Sequence, residues 1–349
     1  MRPLTRAALA LLVGAITGFS AFSAQAQELD RSERRALVQA CRADIARVCP
    51  GIRPGGSALG QCLGANRAAL SEPCRTAIAS TLRDAGPRDG EQETLPGGVE
   101  VHRDVAYGGD PKQRMDIYVP AGATNAPVIF MVHGGGWRNG SKSTPPVVDN
   151  KVAYWLPKGY IFISVDYRLL PDADPLMQAR DVAQALATAQ QKVRSLGGDP
   201  GRFVLMGHSA GAHLVVLLSA DPSMATRVGA LPWRGVVALD SAVYDVTDMM
   251  NGPHLSLYDK AFGSDPTYWR HASPIDQLRQ GAPPMLLVCS SKRAESCNQA
   301  RGFDRKAGTF GVSAEVLPLD KSHGAINEDL GTPGAYTQTV DRFIRGLTQ

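Results

Sequence analysis

The stretch Phe203-Val204-Leu205-Met206-Gly207-His208-Ser209-Ala210-Gly211-Ala212-His213-Leu214 decides the fold. Residues 203–206 are uniformly apolar, as a strand buried on both faces requires. Gly-x-Ser-x-Gly follows, and residues 210–219 have the character of a helix. A strand that turns sharply into a helix at a serine leaves the hydroxyl standing above the sheet. The two glycines permit the turn because no side chains collide there. The helix start behind Ser209 offers peptide N–H groups that lack partners in their own helix, and these suit a developing negative charge. A glycine-rich structural turn is the bland alternative, and the flanking strand and helix argue against it.

Outward from this centre, apolar runs alternate with helical ones. Residues 99–107 and 114–118 predict a strand pair at an edge, and residues 126–132, 160–165, 235–239, 285–288 and 315–319 predict buried strands. Helices are predicted at about 147–156, 174–196, 296–307 and 334–347. This order implies an α/β fold, a mostly parallel sheet flanked by helices. Ligands bind such sheets beyond the carboxyl ends of the strands.

One of those ends reads His133-Gly134-Gly135-Gly136-Trp137. Consecutive glycines at a strand end can bring peptide N–H groups close to a substrate. Acyl transfer needs such donors, because the attacked carbonyl oxygen becomes an anion in the transition state. Gly134 and Gly135, with Ala210, are the candidate oxyanion-hole donors. A phosphate-binding loop is disfavoured, since neither Gly-x-Gly-x-x-Gly nor a P-loop lysine pattern is present.

A serine hydroxyl also needs a neighbouring base. Of the seven histidines, His208 and His213 read as packing or loop residues and His133 as a support of its glycine loop. His323, in Asp320-Lys321-Ser322-His323-Gly324 after the last strand, is the candidate base. The acid that orients it is expected between serine and histidine, after a late strand. Glu295, the only carboxylate in the loop 289–297, is the favoured candidate, with Asp240 after strand 235–239 as the alternate. Ser296-x-x-Gln299 reads as a capping box that starts a helix. A carboxylate just ahead of a helix is favourable in any case, which is the bland reading of Glu295.

Near the beginning, Arg2 and Arg6, an apolar run to about Phe22 and then Ala24-Gln25-Ala26 read as a secretory signal peptide over residues 1–26. A retained membrane anchor is the rival, but Gly14, Gly18 and Ser20 interrupt the run and the cleavage pattern ends it. The expectation is an exported bacterial protein, periplasmic or secreted. All six cysteines follow this segment, so disulfides are expected. Cys41, Cys49, Cys62 and Cys74 fall in residues 27–84, read as a small helical module stapled by disulfides whose pairing stays open. Cys289 and Cys297 are the suspected second pair, closing a short loop and fixing the carboxylate in it. Residues 85–98 read as a polar linker and 99–349 as the catalytic domain. With 37 basic and 33 acidic residues the net charge is only +4, and no Lys/Arg run argues for nucleic acid. No later run is apolar enough for membrane insertion after signal cleavage. The chemistry needs no metal or organic cofactor.

Taken together, these motifs resemble the α/β-hydrolase superfamily, in particular bacterial HGGGW carboxylesterases. Those are related to the hormone-sensitive-lipase-like, kynurenine-formamidase-like and feruloyl/acetyl-xylan esterase-like groups. The resemblance covers about residues 100–347. Further marks are Ala106-Tyr107-Gly108, Met115-Asp116-Ile117-Tyr118, Asp166-Tyr167-Arg168-Leu169, Gly197-Gly198-Asp199-Pro200, Tyr244-Asp245, Ala272-Ser273-Pro274 and His323-Gly324. It implies Ser209 as nucleophile, His323 as base and the HGGGW amides as oxyanion hole. These families usually carry Asp in the loop where this chain has Glu295. The pattern Cys-x7-Cys-x12-Cys-Leu-x10-Cys resembles the cysteine-rich repeat of the Golgi glycoprotein family, a hint of fold rather than activity. The expected function is an exported serine esterase. It would hydrolyse short-chain acyl or acetyl esters, small or polysaccharide-linked, through an acyl-enzyme on Ser209. Its rivals are an aryl formamidase-type amidohydrolase and, from another class, a non-catalytic binding protein on a hydrolase scaffold.

Overall fold

The computed structural model describes residues 38–50, 63, 69–77, 92–95, 97–241 and 243–349. The chain divides into two units, Met1–Gly86 and Pro87–Gln349. The segment read as a signal peptide, and Cys62, lie outside the described residues.

In the first unit, helix α1 (Arg42–Val48) follows Cys41. A disulfide joins Cys41 to Cys74, which settles one pairing that the spacing left open; Cys49 is also disulfide-bonded. Cys41, Cys49, Leu63, Leu70 and Cys74 form the core of the unit. The Cys41–Cys74 link stabilises the unit by restricting the unfolded chain. Inside it, buried Asp44 accepts hydrogen bonds from the Ser71 N–H (3.1 Å) and from Arg47 (2.6 Å).

The second unit is built on one nine-stranded sheet: β1 (Gln92–Leu95), β2 (Val99–Ala106), β3 (Arg114–Val119), β4 (Ala126–Val132), β5 (Ile161–Val165), β6 (Gly198–His208), β7 (Gly235–Leu239), β8 (Met285–Ser290) and β9 (Ala314–Leu319). Their spatial order is β1-β2-β3-β5-β4-β6-β7-β8-β9. The first three pairings are antiparallel and the other five parallel. This is the expected α/β-hydrolase sheet. Strand β1 is an addition: it falls inside the stretch read as linker and pairs with β2.

The central strands β5, β7 and β8 are buried on both faces and β4 nearly so, and the two-residue period of a strand sorts their side chains. In β4, Val128, Phe130 and Val132 pack with α3 (Pro175–Lys192) and α4 (Ala210–Ala220), whereas Ile129 and Met131 pack on the other face with α2 (Pro145–Trp155) and the last helix, Ala335–Thr348. Every residue of α4 is buried, which explains why its sequence is apolar all round. Between β7 and β8 the chain forms α5 (Val246–Asn251), α6 (Ser256–Phe262) and α7 (Pro266–Ala272), which the sequence pattern did not predict. Each is seven residues or fewer, too short for a helical period to stand out. Helix α8 (Ala294–Thr309) follows β8, and α9 (His323–Glu328) follows β9. Parallel register brings the carboxyl ends of β4, β6, β7, β8 and β9 to one rim. Among the described residues no helix is long and apolar enough to cross a membrane.

Candidate active site

Ser209 sits between β6 and α4 with φ 55° and ψ −116°. A non-glycine residue held there is strained, and the surroundings must enforce it. They do so from both sides. The Ser209 N–H donates to Leu239 O (2.8 Å), extending the β6–β7 pairing into the turn. A side chain at Gly207 would run into Gly211 O, and one at Gly211 into Val132 O and His133 O. Both glycines of the elbow are therefore required by close backbone approach.

The glycine loop packs directly on this elbow. A Cβ at Gly134 would lie 2.9 Å from Ser209 Cβ. Among the described residues nothing accepts from the N–H groups of Gly134, Gly135 or Ala210. The loop is held by its neighbours. His133 Nδ1 donates to Gly134 O (2.7 Å), and Tyr167 OH donates to His133 O (2.9 Å) with the two rings stacked at 4.5 Å. The Trp137 carbonyl accepts from Leu170 N–H (2.9 Å) and Gln178 Nε2 (2.8 Å). Trp137 Nε1 donates to His213 Nδ1 (3.3 Å), and His213 Nε2 donates to Ala272 O (2.8 Å). His213 is thus a fully paired neutral ring; burial holds its pKa down at about 4.

Behind the loop stands a buried ionic group. Lys142 Nζ meets Asp104 (2.8 Å) and Asp116 (2.9 Å), and the Lys142 N–H donates to Asp166 Oδ1 (2.7 Å). Burial opposes the Lys142 charge, but Asp116 and Asp166 outweigh it and raise its pKa. Asp116 and Asp166 belong to the sequence marks at 115–118 and 166–169, and Asp166 Oδ1 lies 3.3 Å from His133 Nε2, which ties this group to the glycine loop.

His323 opens α9, whose start is capped by Ser322 Oγ accepting from the Ala325 N–H (3.2 Å). Its ring lies 4.5 Å from that of His208, and His208 Nε2 donates to His323 O (3.0 Å). Burial first, and then the neighbouring His323, hold the His208 pKa down at about 3, so this ring stays neutral. His323 Nδ1 is 2.6 Å from Asp240 Oδ2. A carboxylate can only accept, so in this contact Nδ1 donates and Nε2 is left to act as a base; Arg293 Nη1 also lies 2.6 Å from Nδ1 and finds its acceptor in Asp240 Oδ2 (2.7 Å).

The carboxylate that reaches His323 therefore belongs to Asp240, the alternate, and not to Glu295. Asp240 follows β7, the neighbour of the Ser209 strand, at φ 53°. It is fully buried and takes donors on both oxygens: Ser290 N–H (2.7 Å) and Ser296 Oγ on Oδ1, Arg293 Nη1 (2.7 Å) and His323 on Oδ2. Burial alone would raise its pKa; the bonds from His323, Ser296 and Ser290 and the Arg293 charge hold it well below the usual carboxylate range. Glu295 is exposed in the first turn of α8 and lines a cavity of about 720 Å³ with Asp245, Asp248, Met249, Ile275 and Lys306. The expected capping box is absent for the same reason. α8 starts at Ala294, Ser296 Oγ turns inward to Asp240, and Gln299 Oε1 accepts from the Tyr244 (2.8 Å) and Asp245 (2.6 Å) N–H groups. The suspected Cys289–Cys297 disulfide is present. Arg293, Ser290 and Ser296 are the site residues that sequence reasoning missed.

The BD-FAE family profile matches residues 115–300. The chain belongs to the BD-FAE family. Esterase LipC of Mycobacterium tuberculosis is 30% identical over 221 residues, covering 58% of this chain and 54% of the relative. The isoprenylcysteine alpha-carbonyl methylesterase ICME of Arabidopsis thaliana is 33% identical over 245 residues, covering 64% and 56%. The chain thus spans about half the length of these two relatives. Among solved structures, esterase B from Lactobacillus rhamnosis shares the fold at 20% identity with a TM-score of 0.58, covering 90% of this chain and 95% of that one. A carbohydrate esterase from gut microbiota shares it at 17% identity with a TM-score of 0.61, covering 75% and 99%. The span matched to the BD-FAE family holds the glycine loop, Ser209, Asp240 and the 289–297 loop; His323 lies beyond it.

Proposed function

We propose that the chain is a serine hydrolase of carboxylic esters. Ser209 attacks the acyl carbon, and His323 Nε2 takes its proton. Asp240 fixes the imidazole tautomer and stabilises the imidazolium that forms. The N–H groups of Ala210, Gly134 and Gly135 receive the oxyanion. The tetrahedral intermediate collapses as the imidazolium gives its proton to the departing alkoxide, which leaves the acyl-enzyme; His323 then takes a proton from water, the hydroxide attacks the acyl carbon, and the proton passes to Ser209 Oγ as the acid leaves. The observation that carries this reading is the Asp240–His323 Nδ1 contact of 2.6 Å, since it leaves the free ring nitrogen to serve a base on the rim where Ser209 stands.

The acyl group accepted is short. Trp137, Tyr258 and Phe262 fill the space beside the glycine loop, each at most 8% exposed, with ring centroids 5.0–6.5 Å apart. The alcohol part is a small molecule or a polysaccharide-linked hydroxyl. The basic start, apolar run and Ala24-Gln25-Ala26 support export with cleavage before Gln27. The four clustered cysteines support a cysteine-rich repeat module ahead of the catalytic unit.

Labelling tests the core of this reading. A fluorophosphonate should add one phosphonyl group, mapped by peptide mass to Ser209. Ser209→Ala should take none and should lose turnover by on the order of 10⁶. Labelling elsewhere, or an active Ser209→Ala enzyme, would end the serine mechanism.

A further inference from the structure

The segment 289–297 does more than join β8 to α8. Three of its groups converge on Asp240: Ser290 N–H and Ser296 Oγ on Oδ1, and Arg293 Nη1 on Oδ2. The two that hold Oδ1 are each next in sequence to a bridged cysteine, Ser290 to Cys289 and Ser296 to Cys297. Both cysteines are buried, at 0% and 4% exposure.

We propose that this disulfide-closed segment is a positioning clamp for Asp240. The physical need is specific. The carboxylate plane of an aspartate turns about an sp³–sp² torsion that is broad and weakly determined by its own rotamer. Two donors on Oδ1 set that plane and leave Oδ2 directed at His323 Nδ1. The Cys289–Cys297 link fixes the separation of those two donors, so they reach one oxygen together. Arg293 supplies the compensating charge for a fully buried carboxylate through Nη1 on Oδ2 (2.7 Å). Ser290, Arg293 and Ser296 act through Asp240 and touch no substrate atom in this role. The inference rests on the reading of Asp240 as the orienting acid.

The test compares Ser296→Ala and the Cys289→Ala/Cys297→Ala double variant, each in the wild-type and the Asp240→Asn background. The readouts are kcat and KM on a short-chain aryl ester. In the wild-type background each should lower kcat by about tenfold with KM unchanged, the scale of one hydrogen bond to a charged group. In the Asp240→Asn background neither should lower kcat further, because the carboxylate they position is gone. A general structural role would cost the same factor in both backgrounds, and that result overturns the clamp. So does a folded Ser296→Ala enzyme, or a folded double variant, whose kcat stays near wild type while Asp240→Asn alone is crippled. If Asp240→Asn itself stays near wild type, the acid assignment has failed first, and the clamp fails with it. Ser296→Ala removes a single oxygen, so it decides the question even where the double variant does not fold.

Discussion

Gly134 stands where the glycine loop meets the serine elbow, and one added methyl group tests whether that contact builds the reaction centre. A Cβ there would lie 2.8 Å from His208 O, 2.9 Å from Ser209 Cβ and 3.0 Å from His208 Nδ1. The first two atoms cannot swing aside, so in Gly134→Ala the loop must retreat from the elbow. Oxyanion donors act at about 2.7–3.1 Å, and loss of one costs roughly 10²–10³ in kcat, or about 2.7–4 kcal/mol. Crowding costs about 1–3 kcal/mol of stability besides. Gly136→Ala is the control. Its φ of +61° makes alanine strained, but the nearest atom to its Cβ is Leu257 Cδ1 at 3.9 Å, so nothing is pushed toward Ser209. Its cost is about 1–2 kcal/mol of backbone strain, felt in stability. The assay is kcat and KM on a short-chain aryl ester, with urea unfolding to confirm the fold. Gly134→Ala should lose kcat by about a hundredfold or more at nearly constant KM, and Gly136→Ala by less than about fivefold. A folded Gly134→Ala enzyme with near-wild-type kcat would refute the oxyanion role of this loop, as would equal losses in the two variants.

Two further outcomes are expected. His213→Leu strands the Trp137 indole N–H and the Ala272 carbonyl, both buried, and should destabilise the catalytic unit by about 2–5 kcal/mol in urea unfolding, with kcat of the folded enzyme falling less than tenfold. A loss below about 1 kcal/mol would show that this ring is not the anchor of Trp137. Lys151 is fully buried, and its amine donates to Pro146 O (2.8 Å) and Asn327 O (2.7 Å); burial pushes its pKa down to about 7. An unfolded chain keeps that proton up to about pH 10.4, so between pH 7 and 10 the unfolded state binds more protons and stability rises with pH. Lys151→Met should lack this rise, which is on the order of 4 kcal/mol at most, and parallel pH–stability curves for the two proteins would contradict it.

Much of this site was legible because its parts carry backbone requirements. Gly207 and Gly211 face carbonyl oxygens at distances that admit no side chain, and such a demand leaves its mark on sequence. The strands were legible because a sheet buried on both faces needs continuous apolar runs, as in β4, β5 and β7. The acid was legible only as one of a pair. Glu295 and Asp240 both follow late strands, and sequence order says nothing about which carboxylate turns inward. That choice depends on what is paired with it. Ser290, Arg293 and Ser296 hold Asp240, whereas Glu295 faces solvent and a cavity away from His323. Arg293 had no motif to announce it, because one cation beside one carboxylate has no period. Ser296 was misread because a local capping pattern competes with a bond to a residue 56 positions away, and the distant one prevails. The helices between β7 and β8 were missed because each is too short to show an amphipathic stripe; α5 and α7 are held at their starts by Asp245 and Asp265, which accept from the Asp248 and Thr267 N–H groups.

The central claim is that Ser209 and His323 work with Asp240. Its most direct test is kcat for Asp240→Asn beside Glu295→Gln, measured on the same short-chain ester with both proteins shown to be folded. The amide of Asp240→Asn can donate to Nδ1 and so favours the wrong tautomer of His323, and kcat should fall by up to about 10⁴. Glu295→Gln changes an exposed side chain that lines another cavity, and kcat should stay near wild type. A crippled Glu295→Gln enzyme beside a working Asp240→Asn enzyme would contradict the account.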